Sequence, residues 1–307
     1  MYLAEELIRK RIVIIGSNGL LGQHLVNFYK NNPRIELLAA SASDNSCIDG
    51  VPYKKLDITN KNKVREVLLN FFPDVVINAA AYTDVDACET DREISWKINV
   101  GGTENLALYS WTVDALMIHI SSDYIFDGKS GPYSEDDKPC PINYYGRTKL
   151  AAENTVRASG VRYCIVRTNV LYGSAKNNKT DFVKWVIKSL KSKKQINVVT
   201  DQINNPTFVD DAVNGINKLI EFKKEGIYNI AGGELLSRFD FAKKIAQFFD
   251  LDESLIKPID SKQLKQAAPR PLKSGLITLK AQSEIAYRPT SLLNTLKRIK
   301  KDMNNVM

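Results

Sequence analysis

A chain of 307 residues with a net charge of +8 and 25% charged residues has room for one large core or two modest ones. No stretch approaches the roughly 20 apolar residues of a membrane span, and the acids within residues 1–7 argue against a secretory signal. Cys47, Cys88, Cys140 and Cys164 form no Cys-x-x-Cys pair, and His24 and His119 are the only histidines, so neither a zinc site nor a histidine triad is well supplied.

A cytoplasmic enzyme is therefore the expectation. The basic residues are scattered except for the tail Lys297-Arg298-Ile299-Lys300-Lys301, which reads as a solvated helix. A nucleic-acid partner would want a concentrated basic face with interleaved aromatics. Neither nucleic acid nor membrane is expected as a partner, whereas the positive field suits nucleotide phosphates.

In chain order, residues 11–15 read as a buried strand and residues 20–29 as a helix. Strands are expected at 35–40 and 53–56, a helix at 60–72 and a strand at 74–78. One long helical stretch then runs to about Ser110. A strand at 115–120 ends in polar residues, a helix covers 145–157, and a strand covers 162–167. Beyond Thr168 the pattern mixes: 196–199 is strand-like, and 209–222 places Val209, Val213, Ile216 and Ile220 on one helical face. Ser237 with Asp240 marks a capped helix start.

This alternation predicts an α/β fold: a doubly wound parallel-sheet Rossmann domain with a smaller, interleaved α/β C-terminal lobe. The first would hold residues 1–168 plus about 207–225. The lobe would hold 169–206 and 226–307, with substrate in the cleft beyond the strand ends.

Gly16-Ser17-Asn18-Gly19-Leu20-Leu21-Gly22 joins the first strand to the first helix. Glycines let the backbone turn tightly and approach a pyrophosphate, whose charge meets the helix N-terminus. The Gly-x-x-Gly-x-x-Gly spacing departs from the commoner dinucleotide fingerprint, and a tight turn without ligand is the plainer alternative. An NAD-preferring site commonly offers an acid where the second strand ends. Here that place holds Ser41, with no arginine nearby, so the cofactor is read as NADP(H) or NAD(H), leaning to NADP. Asp57, before Ile58, either accepts from the adenine or caps a turn. Ala79-Ala80-Ala81, ahead of Tyr82 and Thr83, suits a flat ligand lying against a strand end.

Tyr145-Gly146-Arg147-Thr148-Lys149 puts a phenol and an ammonium on one helix face. A nearby cation stabilises the phenolate and lowers a pKa of about 10, which makes the tyrosine a usable general acid. Taken by itself the spacing is common on amphipathic helices. Ser121-Ser122-Asp123 ends the preceding strand, where a hydroxyl can meet a substrate carbonyl. Asn99 is a helix residue expected to hold a water or backbone group near the lysine; a packing asparagine is its alternative.

Together these residues resemble the extended short-chain dehydrogenases, and within them the dTDP-4-dehydrorhamnose reductases. The resemblance runs from Arg11 to about Leu296. It is carried by Gly16 to Gly22, Asn78 to Asp86, Ser121-Ser122-Asp123-Tyr124-Ile125-Phe126-Asp127-Gly128, Pro132-Tyr133-Ser134-Glu135, Pro141 to Leu150, and Arg167-Thr168. Asp201 to Thr207 and Arg270-Pro271 are later echoes. Related dehydratases carry an Asp-Glu pair after the hydroxyl residue; Tyr124 follows Asp123 here, which fits reduction.

The resemblance implies hydride delivery to C4 of a nucleotide-linked 4-keto-6-deoxy sugar. Tyr145 would protonate the alkoxide, Lys149 hold the nicotinamide ribose and Ser122 orient the carbonyl, with Asp123 beside the sugar. Cofactor contacts would come from Gly16, Asn18, Gly19, Leu20, Leu21, Gly22, Ser41, Asp57, Ile58, Ala81, Tyr82, Thr83 and Asn99, together with Tyr145 and Lys149. The family's pocket tryptophan is replaced by Val170, which leaves the sugar open.

The implied partner is a nucleotide-sugar substrate, and a homodimer is compatible with it. No glutamate set maps onto the divalent ion that accompanies some members, so no metal residue is assigned. Two alternatives stay open: a reductase or epimerase of another nucleotide sugar, and a non-catalytic nicotinamide-binding subunit like the regulatory subunit of methionine adenosyltransferase.

Overall fold

In the computed structural model, which describes residues 9–176 and 181–304, strand β1 (Lys10–Ile15) lies in the interior of the largest sheet. The opening stretch 1–7 falls outside the described residues. Ile12 and Ile14 point to one side of β1, Val13 and Ile15 to the other, and all four are inaccessible to solvent. A strand apolar on both faces belongs inside a parallel sheet covered by helices.

The partners of β1 follow the expected alternation. They are β2 (Ile35–Ser41), β3 (Tyr53–Lys55), β4 (Val75–Asn78), β5 (Leu116–Ser122) and β6 (Tyr163–Thr168). All pair in parallel. Between them run α1 (Leu20–Tyr29), α2 (Lys61–Phe71), α3 (Ala87–Thr90), α4 (Arg92–Trp96), α5 (Thr103–Thr112) and α6 (Tyr144–Ala158).

The stretch expected to be one long helix is broken. Asp91 interrupts it between α3 and α4, and a π-helical turn, Lys97–Gly102, joins α4 to α5. Such a turn widens the helix and redirects side chains, often at a functional site.

The later chain adds β7 (Leu171–Tyr172), α7 (Phe182–Lys191), β8 (Ile196–Val199), β9 (Ile203–Asn204), β10 (Thr207–Phe208) and α8 (Val209–Glu221). It continues with β11 (Gly226–Asn229), β12 (Leu236–Ser237), α9 (Arg238–Phe248), β13 (Ile256–Ile259), α10 (Ser261–Leu264), α11 (Leu279–Ile285) and α12 (Leu292–Asn304). The basic tail is thus part of a helix, and Ser237 caps α9 by accepting from the Asp240 amide.

The large sheet has the order β11-β6-β5-β4-β1-β2-β3. Gly226–Asn229, assigned from sequence to the smaller lobe, is its edge strand, in register with β6. One face is covered by α1, α8 and α11 through Leu25, Val213, Ile216 and Ile285; the other is covered by α2, α5 and α6 through Val64, Leu68, Leu106 and Val156. A separate apolar cluster joins α7, α9 and α12 to β8 and β13. Strand order reverses at β1 and β4, so a crevice opens beyond their C-terminal ends.

No helix among the described residues is long and apolar enough to cross a membrane.

Candidate active site

The turn after β1 sets the floor of that crevice. Gly16 has φ +82°, and a Cβ there would meet the Ala80 backbone nitrogen at 2.6 Å. A Cβ on Gly22 would lie 2.1 Å from the Gly16 carbonyl. The glycines therefore allow β1, α1 and the Ala79–Ala81 segment to touch backbone to backbone. Helix α1 starts at Gly19 with no side-chain cap and no acid in its first turn, which leaves its amides open to an anion.

Two adjoining cavities share Gly19 and Ala79–Ala81. The smaller, about 280 Å³, is lined by Gly16, Ser41, Asp57 and Ile58 among others. The larger, about 490 Å³, is lined by Leu20, Leu21, Gly22, Thr83, Ser122, Asp123, Tyr145, Lys149 and Val170. Three residues expected at the cofactor line neither cavity and brace the loops that do. Asn18 bonds the Asn45 carbonyl at 2.7 Å and accepts from the Cys47 amide. Tyr82 turns its hydroxyl to Asp91 at 2.8 Å.

Asn99, on the π-helical turn, accepts from the Tyr82 amide at 2.7 Å and donates to the Thr148 hydroxyl at 2.9 Å. It holds the Tyr82 backbone, as one of its readings expected, and pins that loop to α6 beside Lys149. Asp57 accepts from the Thr59 amide in a turn, the second of its two readings, and the residue also lines the smaller cavity. The Ser41 hydroxyl lies 2.8 Å from the Tyr53 hydroxyl, so β2 ends without a carboxylate.

Helix α6 is capped by Asn143, which accepts from the Gly146 amide. The cap places Tyr145 on the first turn and Lys149 one turn later. Lys149 Nζ donates to the Ile120 carbonyl at 2.6 Å, and burial pulls its pKa down to about 8.

Tyr145 departs from expectation. Burial and the Asp123 carboxylate push its phenol well above the ordinary range, and a hydrogen bond with Ser122 only partly opposes them. Lys149 is not among the main influences on the phenol, so the expected lowering is not seen. The phenol is thus protonated at neutral pH, the form that can give a proton to an alkoxide. Asp123 is itself buried and raised, although Ser274, Asn169 and Ser122 hydrogen-bond its carboxylate.

Next to this centre is a third cavity of about 390 Å³, walled by Tyr124, Phe182, Trp185, Arg238 and Arg270. Tyr124 packs edge-on to Tyr145 at 5.8 Å and hydrogen-bonds both arginines. Arg270 is anchored by Asp86 through bonds of 2.9 and 2.8 Å. Sequence reasoning noted Arg270-Pro271 only as an echo and missed Arg238, Trp185 and Asn169. None has a local signal beyond a helix start or strand end. Among the described residues no group of three or more His, Cys, Asp or Glu side chains is arranged to hold a metal ion.

The chain matches the family model described as RmlD substrate binding domain over residues 10–305. It is 33% identical over 302 residues to dTDP-4-dehydrorhamnose reductase of Aggregatibacter actinomycetemcomitans, covering 94% of this chain and 98% of that protein. Its fold superposes on the crystal structure of dTDP-4-dehydrorhamnose reductase from Bacillus anthracis in complex with NADP, with a TM-score of 0.86 and 34% identity, covering 96% and 99% of the two chains. Methionine adenosyltransferase 2 subunit beta of Xenopus laevis is 31% identical over 268 residues, 85% of this chain and 78% of that one.

Proposed function

The chain belongs to the RmlD family of extended short-chain dehydrogenases, and on that footing we propose that it reduces the 4-keto group of dTDP-4-dehydrorhamnose to give dTDP-L-rhamnose, using NADPH or NADH. The observation that carries the reading is the meeting of Ser122, Tyr145 and Lys149 in the cavity that the glycine turn also lines.

The residues present fit a dinucleotide. The open amides of α1 suit the pyrophosphate, Ala79–Ala81 give a flat wall, and Asp57 lines the adenosine end. The absence of a carboxylate at Ser41 removes a repulsion against a 2′-phosphate. Bound there, the reduced nicotinamide supplies the hydride.

The chain's own residues then handle the oxygen. Ser122 and Tyr145, hydrogen-bonded to each other, hold the C4 carbonyl oxygen, and Tyr145 gives its proton to the forming alkoxide. Lys149, held by the Ile120 carbonyl, keeps positive charge beside the phenolate that is left. Arg238 and Arg270 offer two cations to a diphosphate, and Phe182 with Trp185 offers aromatic surface to a base. This divides the nucleotide sugar between the third cavity and the catalytic centre.

A second reading, a nicotinamide-nucleotide-binding partner subunit, draws on the 31% identity to methionine adenosyltransferase 2 subunit beta. Catalysis is favoured because the hydroxyl, phenol and ammonium are all retained.

The test is oxidation of NADPH and of NADH with dTDP-4-dehydro-6-deoxy-L-mannose, beside Tyr145→Phe. The expected result is turnover that falls about 10²- to 10⁴-fold in the variant. Tight cofactor binding without turnover would reject the rhamnose assignment and favour another keto sugar or the partner role.

A further inference from the structure

Directly after β6, Asn169 has a side chain that the fold only half satisfies. The residue is 4% exposed and lines the 490 Å³ cavity together with Ser122, Asp123 and Tyr145. Its amide nitrogen donates to the Ser274 carbonyl at 3.1 Å, and the side chain also hydrogen-bonds the Asp123 carboxylate. Both of these partners are acceptors. The NH₂ end must face them, and the orientation of the amide follows without ambiguity.

The other end, Oδ1, is buried with no hydrogen-bond partner. Leaving such an acceptor unsatisfied costs about 1–3 kcal/mol, and an orphan of this kind calls for a specific explanation. Asp123 does not compete for a donor in the same place, because Ser122, Ser274 and Asn169 already engage its carboxylate. Asn169 therefore offers the cavity wall an acceptor with spare capacity beside the reacting centre.

We propose that Asn169 is a specificity residue whose Oδ1 accepts a hydrogen bond from the 3-hydroxyl of the keto sugar. This rests on the reduction proposed above. In a 4-keto-6-deoxyhexose the carbonyl carbon has two ring neighbours. C3 bears a hydroxyl; C5 bears a methyl. With Ser122 and Tyr145 on the C4 oxygen, the hydroxyl donor nearest to them is the one on C3.

Val170, the next residue, lines the same cavity and presents only apolar surface, which suits the methyl. Asn169 and Val170 thus form a polar–apolar pair matched to the two substituents flanking C4. A wall built to bond a hydroxyl discriminates strongly against a substrate lacking it, because the buried acceptor then stays unpaired.

The experiment measures kcat/KM for dTDP-4-dehydro-6-deoxy-L-mannose and for its 3-deoxy analogue, in the wild type, Asn169→Ser and Asn169→Ala. The wild type should prefer the hydroxylated substrate by about 30-fold or more. Each variant should lose about 10- to 100-fold on that substrate, keep its rate on the analogue within about threefold, and bind NADPH as before. Equal wild-type rates on the two substrates, which need no variant to fold, overturn the proposal. So does an equal loss on both substrates in the variants. A wild type that turns over neither substrate rejects the reduction itself, and the role of Asn169 with it.

Discussion

Glu153 and Arg167 form a buried two-pronged ion pair, with bonds of 3.0 and 2.9 Å and side chains only 1% and 2% exposed. Glu153 stands one turn beyond Lys149 on α6 and also accepts from the Ser121 hydroxyl at 2.6 Å. It therefore ties the helix carrying Tyr145 to the ends of both β5 and β6. Breaking one side of a buried pair leaves an uncompensated charge, whereas replacing both sides can be nearly neutral. Glu153→Gln is expected to lose about 3–5 kcal/mol in urea unfolding. Adding Arg167→Met should recover much of that loss; a double variant no more stable than the single one would show that the pair is not the source.

Lys149 titrates from an ordinary 10.5 down to about 8 because burial opposes its charge. In the free enzyme the cation is then lost above about pH 8, and kcat/KM for the cofactor should fall along that limb. The stability effect has the opposite sense. Between about 8 and 10.5 the unfolded lysine holds a proton that the folded one does not, so this group makes stability rise with pH across that window. Lys149→Met should remove the rise. Urea midpoints at pH 7.5 and 9.5 for both proteins check it, and an unchanged pH slope would reject the assignment.

His24 on α1 is clamped between Asp210, at 2.6 Å, and the Ser174 carbonyl, at 2.8 Å. Burial lowers its pKa, but the hydrogen bonds and the Asp210 charge together carry it above 6.5. A raised histidine contributes stability that is full below the unfolded pKa and lost as pH rises through the folded one. Asp210→Asn should therefore destabilise the protein more at pH 5.5 than at pH 8.5. The same loss at both values would show that charge is not involved.

Ser41 closes β2 without a carboxylate and lines the smaller cavity. Ser41→Asp would place a negative charge where a 2′-phosphate is expected and offer an acceptor to ribose hydroxyls. The ratio of kcat/KM for NADPH to that for NADH should drop by about 10- to 100-fold, one to two powers of ten at 1.4 kcal/mol each. Steady-state rates with each cofactor decide it; an unchanged ratio would move the 2′-position away from Ser41.

Local chemistry made part of this molecule readable in advance. Strands β1, β2, β4, β5 and β6 announce themselves because they are largely apolar on both faces, whereas β3, Tyr53–Lys55, is a short exposed edge; α1 is bounded by Gly19 before it and closes at Tyr29 as expected. The Tyr145–Lys149 spacing put both groups into one cavity for the same reason, helix periodicity. What stayed hidden depends on distant partners. Which groups Asn99 holds could not be read, because its bonds go to Tyr82 and Thr148, neither adjacent in sequence. The phenol of Tyr145 was expected to be lowered because the lysine is visible in the motif, while the desolvation that raises it is a property of the packed fold. Arg238 and Asn169 reach the site from α9 and from the turn after β6, where sequence periodicity says nothing about direction.

The edge strand β11 and the covering helices α8 and α11 have a consequence for how this protein can be cut. Each is contributed by chain lying beyond β7, β8, β9 or β10, yet each completes the sheet on which the glycine turn is mounted. The backbone is stitched back and forth between the two halves. A truncation after Thr168 would strip Val213, Ile216 and Ile285 from the first core and leave β6 as a bare edge, open to pairing with another chain. The half that lines the dinucleotide cavities is thus not a detachable module, and a shortened or domain-swapped version should be sought by circular permutation rather than by clipping.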